Sequence, residues 1–380
     1  MTFSDLGLSA PLLKAIHDLQ YEKPYPVQEQ AIPALLKRRD LLGISKTGSG
    51  KTAAYALPIL ELLQQKRATK DRHIRTLVMV PTRELAVQVE ETFSMLSKHL
   101  PVKIKSMAVY GGVSINPQMI NLHNTDVLIA TPGRLLDLVS NKAVHLSETE
   151  ILVLDEADKI LELGFKDEME KVFSLLPIKR QNILFSATLS NDTNDIQQHL
   201  LHDPVTVEIV EAENNIELIT QLAYHVTPER KGPLLRYLIK NENMEQVLVF
   251  TSAVRTADNL TGKLIKNGVQ AASLHGHLSQ TARLETLQRF KAGKLRVLVA
   301  SDLASRGIDI QQLPVVINYE LPRSPKDYIH RIGRTGRADA PGKAISLICP
   351  EDQHHFGIIQ KKMGKKVETL ESDDIDLHGV

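Results

Sequence analysis

Cysteine is almost absent: Cys349 is the single one in 380 residues. One thiol cannot close a disulfide within the chain, and no Cys/His cluster has the spacing of a zinc site, so a reducing compartment is expected. Nor is there a run of about 18 consecutive apolar residues, the length a membrane-crossing helix needs. The N-terminus lacks the charged and apolar regions of a secretory signal. A cytoplasmic protein without membrane contact is therefore expected. Charge of one sign is missing too, since 46 basic and 45 acidic side chains leave a formal net charge of +1. Any polyanion site must then be a local patch. Low-complexity segments are also missing. What is present, 380 residues of which 42% are hydrophobic, exceeds one ordinary core and predicts two folded domains.

Short β-branched apolar runs alternate with amphipathic stretches: Thr76 to Val80, Lys105 to Val109, Val127 to Ala130, Ile151 to Leu154 and Asn182 to Phe185. This rhythm predicts a parallel α/β sheet. It breaks in the polar stretch around Glu211-Ala212-Glu213-Asn214-Asn215 and resumes with Thr220 to Val226, Gln246 to Thr251, Ala271 to Leu274, Arg296 to Ala300, Val315 to Tyr319 and Ala344 to Ile348. The expected division is a first domain at 1–207, a linker at 208–217, a second domain at 218–367 and a solvated acidic tail at 368–380.

Two segments carry the chemistry. Ser45-Lys46-Thr47-Gly48-Ser49-Gly50-Lys51-Thr52 follows the apolar Leu41 to Ile44 and opens into a plausible helix. Gly48 and Gly50 let backbone amides turn inward as a nest for phosphates at a helix N-terminus. Lys51 can reach the terminal phosphates, and the Thr52 hydroxyl can ligate magnesium. The usual pattern has glycine where this chain has Ser45, and the Gly-Lys-Thr end is intact. The second segment is Ile151-Leu152-Val153-Leu154-Asp155-Glu156-Ala157-Asp158. Its apolar run suits a strand buried on both faces, with Asp155 and Glu156 at the carboxyl end, where such sheets bind ligands. Asp155 is placed to hold magnesium through water, and Glu156 to orient an attacking water. Both segments point to a nucleoside triphosphatase.

The second domain has no lysine-bearing phosphate loop. It does have Arg331, Arg334 and Arg337, spaced by three, which on a helical turn would share a face. Arginine is always charged and fork-shaped, and suits charge building on a γ-phosphate. Arg334 and Arg337 are the expected catalytic pair alongside Lys51, Asp155 and Glu156.

In these residues the chain resembles the DEAD-box ATP-dependent RNA helicases of superfamily two, and in particular their bacterial RhlE-like branch. The likeness runs from about Phe3 to Lys366 with motifs in order. It adds Pro81-Thr82-Arg83-Glu84-Leu85-Ala86, Gly111-Gly112, Thr131-Pro132-Gly133-Arg134, Ser186-Ala187-Thr188, Gln280-Thr281-Ala282-Arg283, Ser301-Asp302, Arg306-Gly307-Ile308-Asp309 and His330 to Arg337. The resemblance implies two RecA-like parallel-sheet domains of α/β class joined by a short linker. It implies that Gln28 reads adenine, that Tyr21 stacks on it with Phe3 as the isolated upstream aromatic, and that Asp309 holds the ribose. It also implies RNA contacts at Pro81, Thr82, Arg83, Gly111, Gly112, Thr131, Pro132, Gly133 and Arg134, and at Thr251, Arg283, Ser301 and Asp302. Ser301 stands where the family usually has threonine and keeps the hydroxyl. Asp158, Ser186, Thr188 and His330 are implied to couple ATP hydrolysis to strand separation.

The expected protein is thus a monomeric RNA helicase using ATP and Mg2+, closing its cleft when ATP and single-stranded or short duplex RNA are both bound, with little sequence preference. Two alternatives are a DNA helicase or translocase on the same scaffold, and an ATP-dependent RNA clamp of low turnover. A metabolic phosphate-loop enzyme would leave the second domain's motifs without a role.

Overall fold

The computed structural model describes residues 1–45, 48–65, 71–188, 191–209, 219–301, 313–336 and 342–377. The chain divides into two compact units, Met1–Glu211 and Ala212–Val380. The linker expected at 208–217 begins on Glu208, which is still in a strand, and its residues 210–217 lie outside the described residues.

Among its described residues the first unit holds seven strands: β1 (Leu41–Ile44), β2 (Thr76–Met79), β3 (Ser106–Val109), β4 (Val127–Ala130), β5 (Ile151–Leu154), β6 (Gln181–Ser186) and β7 (Val205–Glu208). They lie in the order β3-β4-β2-β5-β6-β1-β7, and every pairing is parallel. Side chains alternate across the sheet as a two-residue period requires. Val78, Ile129, Val153 and Phe185 enter one core with the helices Pro26–Leu36, Lys51–Leu63 and Arg83–Leu96, while Leu77, Leu128, Leu152 and Leu184 enter the other. Both faces are covered, which explains why β2, β4 and β5 read as unbroken apolar runs.

The second unit repeats the plan with β8 (Ile219–His225), β9 (Val247–Thr251), β10 (Ala271–Leu274), β11 (Val297–Ser301), β12 (Val315–Asn318), β13 (Gly342–Ile348) and β14 (Glu368–Glu371). Their order is β10-β11-β9-β12-β13-β8-β14, again all parallel. The RecA-like pair of parallel sheets expected from the sequence is what the chain forms. The acidic segment read as a solvated tail is instead structured at its start. Glu368–Glu371 pairs with β8, the buried Ser372 hydroxyl donates to the His225 carbonyl, and Ile375 and Leu377 pack on the adjoining core. Acidic side chains are compatible with this because an edge strand pairs through its backbone while its side chains stay in water.

Candidate nucleotide site and nucleic-acid face

In a parallel sheet all carboxyl ends lie at one edge, and the first unit's motifs leave that edge together. The phosphate-loop segment follows β1, Asp155 follows β5 and Ser186 closes β6, with β6 hydrogen-bonded to both β1 and β5. Lys51 begins a helix after Gly50, whose φ of +88° is left-handed, as is that of Gly48 at +85°. Gly50 is constrained by space as well. A Cβ there would lie 2.6 Å from Gln28 Nε2 and 2.8 Å from Tyr25 Cδ2. Gln28 is buried; its Nε2 donates to the Gly50 carbonyl at 3.0 Å and its Oε1 accepts from the Tyr25 amide at 2.9 Å. It therefore ties the segment expected to sense adenine directly to the phosphate loop, keeping one N–H and one lone pair for a ligand. Tyr21 is exposed, whereas Phe3 is a core residue packed with Leu6, Leu12 and Val27. Lys46 and Thr47 lie outside the described residues.

Within the loop, Lys51 Nζ donates to the Ser45 carbonyl at 3.1 Å, and the Ser49 hydroxyl donates to Ser45 Oγ at 3.0 Å. Asp155 is 2% exposed. Its Oδ2 accepts from the Tyr55 hydroxyl at 2.9 Å, and its buried Oδ1 has no hydrogen-bond partner among the described residues. Burial pushes the Asp155 carboxyl above the ordinary carboxylate range, with Lys51 opposing the shift and Glu156 adding to it. An unpartnered carboxylate oxygen near a lysine and a threonine hydroxyl fits a hard cation that keeps part of its water shell. Glu156 occupies the left-handed region at φ +53°, rare for a residue with a side chain. Its buried carboxylate meets Lys159 Nζ at 2.8 Å.

Asp158 joins this cluster to β6. Its Oδ2 accepts from the amides of Ala187 at 3.2 Å and Thr188 at 3.1 Å, and from the Thr188 hydroxyl at 3.1 Å. Ser186 does not share in this. Its buried hydroxyl donates to the Thr188 carbonyl at 2.7 Å.

A second cluster occupies the other half of the same edge, after β2, β3 and β4. Thr82 caps the helix Arg83–Leu96, its Oγ1 accepting from the Leu85 amide at 3.3 Å. The Arg83 guanidinium lies so close to Gly112, at φ +80°, that a Cβ there would fall 1.9 Å from Nη1. Gly111 and Gly133 have open space where a Cβ would stand. Thr131 ends β4 and precedes the helix Pro132–Ser140, while Pro81, Thr131, Pro132 and Arg134 are buried. Arg134 Nη2 donates to the Val113 carbonyl at 2.8 Å, so this arginine latches the glycine pair rather than standing free in solvent.

In the second unit Thr251 ends β9 fully buried, its hydroxyl donating to the Ala253 carbonyl at 3.4 Å. Thr251, expected among the RNA contacts, thus has its side chain buried in this structure. Ser301 is paired with it across β11 and is also buried. Arg283 is half-buried in the first turn of the helix Gln280–Lys291, which Ser279 caps. The helix Pro325–Ile332 stops before Gly333, so the arginine triplet does not share one helical face. Arg331 is 3% exposed, donates to Asn318 Oδ1 and the Glu320 carbonyl, and stacks on Phe250 at 5.0 Å. It is a core residue. His330 is exposed and Arg334 half-buried beyond the helix end, while Asp302, Asp309 and Arg337 lie outside the described residues. Sequence reasoning missed Tyr55 and Tyr25. Tyr55 could have been found from its place one helical turn beyond Lys51, on the same face.

Residues 25–196 match the DEAD/DEAH box helicase family and residues 230–339 match the helicase conserved C-terminal domain. The ATP-dependent RNA helicase CshA of Listeria monocytogenes is 37% identical over 375 residues, covering 98% of this chain and 71% of that protein. The DEAD-box ATP-dependent RNA helicase RhpA of Helicobacter pylori is 38% identical, covering 99% and 75%. Among solved structures, S. cerevisiae Dbp5 bound to RNA and ADP BeF3 matches with a TM-score of 0.82 at 33% identity, covering 98% of this chain and 96% of that one. A DEAD box protein from Methanococcus jannaschii matches with a TM-score of 0.56 at 35% identity, covering 97% and 99%.

Proposed function

The chain belongs to the DEAD-box helicase family, and from that premise we propose that it is an RNA-stimulated ATPase that separates short RNA duplexes or remodels RNA–protein complexes. The observation that carries this reading is the division of one sheet edge into two clusters. The half around β1, β5 and β6 gathers phosphate-binding and carboxylate groups, and the half around β2, β3 and β4 gathers glycine backbone, with open space at Gly111 and Gly133, and a threonine-arginine helix start.

On the first half, Lys51 leaves the Ser45 carbonyl for the β- and γ-phosphates of ATP, while the amides of the Gly48 to Thr52 turn hold the phosphate oxygens. Asp155 and Thr52 would hold Mg2+, which would offset charge on the phosphates of bound ATP. Glu156 orients the attacking water. Gln28 and Tyr21 select adenine, and Asp309 holds the ribose. Arg334 and Arg337 of the second unit meet the charge that builds on the γ-phosphate, so hydrolysis waits for both units to close on ATP and RNA. Asp158, Ser186 and Thr188, with His330, pass that closure to the RNA face.

On the second half, Thr82, Arg83, Gly111, Gly112, Thr131 and Gly133 contact the RNA backbone, joined by Arg283 and Asp302 from the second unit. Contacts of this kind position a strand without reading its bases, and a sugar-phosphate track with its 2′-hydroxyls favours RNA over DNA. The protein acts as a cytoplasmic monomer. The test is steady-state ATP hydrolysis with single-stranded RNA and with DNA of the same sequence. Stimulation by RNA well above that by DNA is expected; equal stimulation would replace the reading with a general nucleic-acid translocase, and none with either would remove it.

A further inference from the structure

Tyr55 belongs to none of the motifs above, yet it touches the metal end of the nucleotide site. It lies in the second turn of the helix Lys51–Leu63, is 0% exposed, and packs its ring against Phe93 at 6.3 Å and Phe185 at 5.9 Å between centroids. Its hydroxyl donates to Asp155 Oδ2 at 2.9 Å, so the phenol contacts one of the two residues whose oxygens are assigned to Mg2+. A hydroxyl has one proton, and Tyr55 spends it on Asp155. Asp155 is fixed through Oδ2 and presents Oδ1, which has no hydrogen-bond partner among the described residues.

We propose that Tyr55 is a positioning residue for magnesium: its hydrogen bond to Asp155 Oδ2 fixes the carboxylate so that Oδ1 is presented before the metal arrives. The inference rests on the ATPase reading. A buried tyrosine hydroxyl needs a partner in any case, so the test separates orientation of metal ligands from plain satisfaction of a buried group.

Tyr55→Phe removes the hydroxyl and keeps the ring. In the full chain, Mg2+ is titrated while RNA-stimulated ATP hydrolysis is followed, and separately while binding of a fluorescent ADP is followed, with nucleotide binding in EDTA and thermal melting as companions. A hydrogen bond to a charged group corresponds to about a tenfold or larger change in the half-saturating Mg2+ concentration. Tyr55→Phe is expected to raise that concentration about tenfold in both titrations and to leave nucleotide binding in EDTA unchanged. Phe93→Leu, which disturbs the packing of the ring but keeps the hydroxyl, is expected to lower the melting temperature and leave the Mg2+ requirement in place. The proposal is overturned if the Tyr55→Phe and wild-type Mg2+ curves superimpose, if binding in EDTA falls in parallel, or if Phe93→Leu raises the Mg2+ requirement as much. A wild-type chain that hydrolyses no ATP with Mg2+ and RNA would instead remove the ATPase reading itself.

Discussion

The Asp158 carboxylate is the most heavily used side chain between the acidic segment and β6, and its loss should be graded. Oδ2 accepts from two amides and the Thr188 hydroxyl, and Oδ1 accepts from the Lys159 amide at 3.0 Å. Thr188→Ala deletes one of the three donors at Oδ2 and leaves the amides in place. Asp158→Ala deletes the acceptor for all of them. Hydrogen bonds to charged groups are worth about 1.5–3 kcal/mol each in buried settings. Thr188 is exposed, so water replaces part of what is lost. The expected cost is about 1 kcal/mol for Thr188→Ala and about 2–3 kcal/mol for Asp158→Ala. At about 2–4 °C per kcal/mol for a unit of this size, melting of the first unit should fall by about 2–4 °C and about 4–12 °C. Calorimetry of the full chain without nucleotide measures this. The coupling role makes a separate demand, that Thr188→Ala lose duplex separation by a larger factor than RNA-stimulated ATP hydrolysis. If both activities fall by the same factor, the Asp158–Thr188 bonds hold the fold and carry no coupling.

Two further outcomes follow from the geometry. The raised Asp155 carboxyl stabilises the fold only when protonated, so in the metal-free protein its ionised form costs stability at neutral pH, and the cost is relieved as pH falls through the raised value. Asp155→Asn should therefore melt higher than wild type at pH 7, with a margin that shrinks on acidification; a margin independent of pH would contradict this. Gly112→Ala places a methyl group on the Arg83 guanidinium at a left-handed position. Single-stranded RNA binding, measured by fluorescence anisotropy, should weaken by roughly five- to tenfold while ATP binding without RNA is unchanged; RNA binding equal to wild type would take Gly112 and Arg83 off the RNA face.

Legibility in the sequence followed burial. β2, β4 and β5 are buried on both faces and announce themselves as apolar runs, with Asp155 and Lys51 marked by adjoining motifs. β7 and β14 were not read as strands because each is an edge strand held by backbone pairing. Val205–Glu208 buries one of its four side chains, and Glu368–Glu371 exposes all four. Composition cannot report such pairing. The arginine triplet misled for a local reason: period three marks one face only while the helix continues, and Gly333 ends it after Arg331 has turned into the core. Tyr55 left one trace in the sequence, its place one helical turn beyond Lys51, but an aromatic in an apolar helix reads as packing, and the fold is needed to bring Asp155 within reach of its hydroxyl.

Guanidinium groups of the second unit are proposed to complete catalysis at the phosphates held by the first. The most direct test is RNA-stimulated ATP hydrolysis by the full chain carrying Arg334→Ala and Arg337→Ala together, beside the affinity of the same variant for a fluorescent ADP. Turnover is expected to fall by about 10³–10⁵-fold, the range known for supplied arginines, with nucleotide affinity largely retained. Turnover close to wild type in that variant would contradict the proposal.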